Sequence, residues 1–106
     1  VNTRFKAGEV AFALRQADCR AVILRDRFLR LDFGAMLLEA EPALARALPG
    51  AELPLLRHAI VIGDDAPAGG MTWHDFLARQ ADDIALDAAI EVVTQDDPLL
   101  IQFTSG

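Results

Sequence analysis

Three short, mostly apolar runs punctuate the chain: Ala21-Val22-Ile23-Leu24, Ala59-Ile60-Val61-Ile62-Gly63 and Leu99-Leu100-Ile101-Gln102-Phe103. Each is too short for a stable helix, and continuous apolar runs of this length suit strands covered on both faces. Between them lie stretches with helix-spaced apolar residues. Strands separated by helices require crossover connections, which are right-handed and generate a parallel sheet with helices packed on its faces. The expected fold class is α/β, a three-layer, mainly parallel sheet with flanking helices, built from residues 1–106 as one segment. A domain of this size buries roughly two-thirds of its unfolded surface. A three-stranded sheet leaves two open edges, which offer a route to homo-oligomers.

The first helix is predicted from Ala7, Val10, Leu14 and Ala17, spaced to share one face. Glu9 falls in its first turn, where negative charge is favourable, and Asp18-Cys19 closes it. Phe28 to Leu48 reads as a second helical region with Phe33, Leu37, Leu44 and Leu48 as its apolar stripe. Pro42 interrupts that region, giving either a kink or two short helices with Pro42 opening the second. Asp64 to Gly70 is a surface loop. Thr72-Trp73-His74-Asp75 is a variant capping box ahead of a short helix through Phe76 and Leu77. Ala85 to Val92 fits a helical turn or two, while its Ile90-Glu91-Val92-Val93 end fits a strand equally. Asp96-Asp97-Pro98 is a turn.

Charge and composition remove several classes of function. The net charge of −6, with Asp and Glu distributed along the chain, argues against binding nucleic acid or an anionic membrane surface. No run approaches the ~20 apolar residues of a transmembrane segment. The single cysteine, Cys19, precludes an internal disulfide and suits a reducing cytoplasmic setting; beside an apolar strand it reads as a packing residue. His58 and His74 lack the spacing of a zinc site, and no metal ligand is assigned. Asp64-Asp65 reads as a solvated loop, Trp73 as an anchor for its helix, and Arg25, Arg27 and Arg30 as a solvated basic stretch. No catalytic residue is assigned.

The final residues carry the one chemical signal. An aliphatic strand running into Thr104-Ser105-Gly106 opens like an anion-binding turn, with hydroxyls for phosphate oxygens and a glycine that admits close backbone approach. Alone, such a turn is ordinary. Together with its lead-in, Asp97-Pro98-Leu99-Leu100-Ile101-Gln102-Phe103, it resembles the start of the signature phosphate loop of AMP-forming acyl-CoA synthetases. Val1-Asn2-Thr3-Arg4 with Glu9 and Leu14, Arg57-His58 leading into Ala59–Gly63, and Met71-Thr72-Trp73-His74-Asp75-Phe76-Leu77 resemble further segments of that family, in family order.

The resemblance implies a piece of the large N-terminal AMP-binding domain of a longer enzyme. That enzyme would use ATP and Mg2+ to activate a carboxylic acid as an acyl-adenylate, then transfer the acyl group to CoA. Fatty, aromatic and alicyclic acids are all compatible. Thr104, Ser105 and Gly106 would be the first part of the ATP phosphate loop. The rest of the loop with its lysine, the acyl pocket, the adenine site and the metal ligand lie outside these residues. The chain by itself is therefore expected to be inactive and without cofactor, its natural partner being the remainder of the enzyme. The competing expectation is a free-standing flavodoxin-like binding or interaction module.

Overall fold

The structure, a computed structural model, describes residues 6–104. Helix α1 spans Ala7–Gln16 and buries Ala7, Val10, Ala13 and Leu14. The Glu9 carboxylate accepts the Lys6 backbone N–H at 2.8 Å, tying down the first turn. The helix ends in a Schellman turn with Asp18 left-handed at φ 48°. Asp18 N–H donates to the Arg15 carbonyl and Cys19 N–H to the Leu14 carbonyl. The chain then enters strand β1, Ala21–Arg25.

β1 pairs in parallel with β4, His58–Ile62, in the register Ala21 opposite His58 through Arg25 opposite Ile62. β4 pairs in parallel on its other side with β5, Met71–Thr72, placing Ile60 opposite Met71 and Val61 opposite Thr72. The sheet order is β1-β4-β5, an α/β arrangement with flanking helices. Central β4 buries Ala59, Ile60 and Val61. Edge β1 is covered less fully than its composition suggests: Val22 and Leu24 are half-buried and Ile23 is exposed.

The stretch expected to be helical from Phe28 begins instead as a β-hairpin. Strands β2, Arg27–Phe28, and β3, Leu31–Asp32, pair antiparallel around a two-residue turn. Leu29 takes φ 56° there, a conformation normally supplied by glycine or asparagine, which explains why no turn was legible. The Asp26 carbonyl accepts the N–H groups of Phe33 and Gly34, and its own N–H donates to Ile62, fastening the hairpin to the sheet. Asp32 then caps helix α2, Phe33–Ala40, by accepting the Ala35 N–H at 2.8 Å.

Pro42 opens a separate 3-10 helix, Pro42–Ala45, the second of the two arrangements anticipated. Leu37 and Leu44 reach the core, joined by Val10, Leu14, Leu53, Leu56 and Ala59; Leu48 packs against its margin. The loop ahead of β5 is drawn inward. Gly69 N–H donates to the Leu44 carbonyl at 2.9 Å, and a Cβ at Gly69 would stand 2.7 Å from that oxygen. Only glycine fits this approach without displacing backbone.

Helix α3, Trp73–Ala78, starts where expected, with Thr72 Oγ1 accepting the Asp75 N–H at 3.1 Å. Helix α4, Asp83–Glu91, resolves the open choice at Ala85–Val92 in favour of helix; Asp82 caps it by accepting the Ile84 N–H. The strand expected at Leu99–Phe103 is absent. Those residues are irregular and exposed, with Leu99 99% accessible. A strand needs a neighbour to complete its ladder, and the position beside β4 is taken by the two-residue β5. Among the described residues no helix is long and apolar enough to cross a membrane.

Candidate functional site

Of the three residues assigned to the phosphate loop, Thr104 is described; Ser105 and Gly106 lie outside the described residues. So does the Val1–Arg4 match. Phe103 and Thr104 lie against the first two turns of α1, where Gly8, Glu9, Phe12 and Ala13 complete a shallow open hollow. Its lining is largely apolar, and Glu9, its only charged residue, is held by the Lys6 N–H. A carboxylate beside Thr104 repels an anion rather than attracting one. Thr104 is exposed, so it contributes a hydroxyl on the surface and no enclosed cradle.

The remaining candidates are dispersed. His58 stands exposed at the start of β4 and His74 exposed on the first turn of α3. Asp64 and Asp65 are exposed beyond β4. Among the described residues no group of three or more His, Cys, Asp or Glu side chains could hold a metal ion. Trp73 is half-buried and packs against Phe76, ring centroids 5.5 Å apart, which steadies the short α3. Cys19 is half-buried against the core, as a packing residue should be. Arg27 pairs with Asp32 at 3.2 Å across the hairpin.

Among the described residues, the one fully buried charged side chain was not singled out from the sequence. Glu41 is 1% exposed and accepts the Leu53 N–H at 2.6 Å and the Ala43 N–H at 3.1 Å. It caps the 3-10 helix and anchors the loop leading to β4, so its role is structural. Its available signal was its place immediately before Pro42, a helix-capping position. A second long-range tie, Arg15 to both the carbonyl and the carboxylate of Glu52, joins α1 to that same loop.

Comparison with known proteins supplies what the geometry does not. YngI of Bacillus subtilis, which carries an acyl-CoA synthetase name, is 30% identical over 112 residues, covering 100% of this chain and 20% of its own length. The mitochondrial medium-chain acyl-CoA ligases ACSF2 of Danio rerio and Homo sapiens are each 31% identical, again over 100% of this chain and 18% of theirs. The chain thus spans about a fifth of the length of the curated relatives it matches. No protein-family model matches the chain. No solved structure matches it.

Proposed function

From its place among the acyl-CoA synthetases and ligases, we propose that the chain is a segment of the N-terminal AMP-binding domain of an ATP-dependent acid–CoA ligase. The observation that carries this reading is alignment with such enzymes over all of its residues. In the proposed reaction a substrate carboxylate oxygen bonds to the α-phosphorus of ATP, and the α–β bridging bond breaks to release pyrophosphate. The CoA thiolate then attacks the acyl carbon, forming the thioester and expelling AMP. Thr104, Ser105 and Gly106 are assigned to the start of the loop that binds the phosphates, through hydroxyl and backbone N–H donors. The whole enzyme would also use Mg2+, with ligands supplied from outside this segment.

A medium-chain carboxylic acid is the first substrate to try, because the vertebrate relatives bear that description. A cytoplasmic location is part of the proposal, although those relatives are named mitochondrial. Association through the free edge of β1 is a further part, and light scattering showing a strict monomer would remove it.

The reading frame beyond Gly106 tests the central reading. Continuation as Thr-Thr-Gly-x-Pro-Lys-Gly supports it; a stop codon there overturns it in favour of a free-standing α/β module. The 106-residue chain by itself is expected to form no acyl-adenylate and to bind no ATP measurably. Calorimetric titration giving micromolar Mg-ATP affinity would overturn that expectation.

A further inference from the structure

Cationic residues stop short of the last quarter of the chain. All ten lysines and arginines lie at or before Arg79, together with ten of the sixteen acidic residues, so that stretch is neutral. The six remaining acids, Asp82, Asp83, Asp87, Glu91, Asp96 and Asp97, lie beyond it and carry the whole net charge of −6. The same stretch exposes Ile84, Leu86, Ile90, Leu99, Leu100 and Ile101.

Helix α4 concentrates both properties. Asp83, Asp87 and Glu91 recur every fourth residue and form one acidic stripe, flanked by Ile84 on one side and by Ile90 and Leu86 on the other. None of its residues is buried. Like charges four residues apart repel on a helix. Glu91 also stands at the negative end of the helix dipole, with no basic residue in that turn. A broad apolar surface and an uncompensated acidic stripe are each unfavourable in water. One kind of neighbour relieves both: an apolar floor rimmed by lysine or arginine.

The proteins that align with this segment hold it within polypeptides of which it forms about a fifth. We infer that residues 82–103 are a docking element for the rest of a synthetase polypeptide, which meets them with an apolar floor and a cationic rim facing Asp83, Asp87 and Glu91. This rests on the segment reading above. It assigns the cover to the enzyme's own chain rather than to a second copy.

Amide hydrogen exchange separates the possibilities, measured on the 106-residue chain and on the complete polypeptide that carries it. Amides of residues 84–91 are expected to exchange roughly tenfold or more slowly in the complete polypeptide. The double substitution Asp87→Asn, Glu91→Gln should then act with opposite signs. In the 106-residue chain it removes repulsion and slows exchange; in the complete polypeptide it removes ion partners and speeds exchange. Equal exchange in the two polypeptides, or slowing in both by the substitution, overturns the docking element while leaving the segment reading intact. Protection that rises with concentration in the 106-residue chain gives the face to a second copy and overturns it as well. Absence of a longer open reading frame defeats the segment reading itself, and the inference with it.

Discussion

Leu44 and Leu56 are each 1% exposed, whereas Leu99 and Leu100 stand almost fully in solvent, although all four are leucines in apolar surroundings of the sequence. The division runs through the whole molecule. Up to β5, helices and strands enclose a common core; every described residue from 74 onward is exposed. Local preference is satisfied in both regions, since α4 is capped by Asp82 and α3 by Thr72 as well as α1 is tied by Glu9. What differs is whether an apolar face finds a neighbour. Helical stability in proteins comes mainly from such packing, so the two regions should respond very differently to the same substitution.

The largest contrast is expected between Leu44→Ala and Leu100→Ala. The first empties a core position and should cost about 2–5 kcal/mol; the second should change stability by no more than about 0.5 kcal/mol. Urea unfolding followed by circular dichroism measures both. Comparable losses would erase the distinction between the regions.

Glu41→Ala should come next. It leaves the Leu53 and Ala43 N–H groups without their acceptor, at about 1–3 kcal/mol for each buried group so orphaned. Glu41→Gln, which keeps one carbonyl oxygen, should cost less. Gly50 lies so close that a Cβ there would collide with the Glu41 carboxylate, so Gly50→Ala should also lower the thermal midpoint. Equal stability of Glu41→Ala and the native chain would show that the loop to β4 does not depend on this anchor.

Thr72→Ala removes the cap of α3, where core meets exposed stretch, and should cost about 0.5–2 kcal/mol. A smaller loss than this range would mean that α3 contributes little to global stability and belongs with the exposed region.

The smallest effect concerns acid. The Ala35 N–H bond, helped by the nearby Arg27 guanidinium and opposed by partial desolvation, holds the Asp32 carboxyl below its usual value of 3.8. A carboxyl depressed in the folded state stabilises fully above 3.8, and that contribution disappears as pH falls through the folded value. Asp32→Asn keeps a capping oxygen but cannot titrate. The stability difference between the native chain and this variant should therefore be constant near neutrality and shift against the native chain below 3.8. Salt should shrink the effect, because the pair is exposed.

Much of the order of elements is written in the chain. The spacing of Ala7, Val10 and Leu14 specifies α1, the β-branched content of residues 58–62 specifies β4, and Pro42 divides the following helical region, all of which local physics decides. The hairpin at Arg27–Asp32 was hidden because Leu29 gives no sign of the left-handed turn it adopts. Two-residue β5 is too short to carry any periodicity. The candidate loop was legible only through its resemblance to a family, since Thr-Ser-Gly has no geometry of its own and Thr104 meets only the apolar hollow beside α1.

By itself the sequence determined that α1, β4 and α3 would form, that parallel strands would make an α/β sheet, and that the chain resembles acyl-CoA synthetases and ligases. Tertiary structure alone decided which apolar runs are buried. Leu99–Phe103 and residues 58–62 look alike as text, yet only the latter gains neighbours on both sides. The reason is that burial is a property of pairs of surfaces: one strand's residues can declare that they need a partner, but not which surface of the fold will meet them.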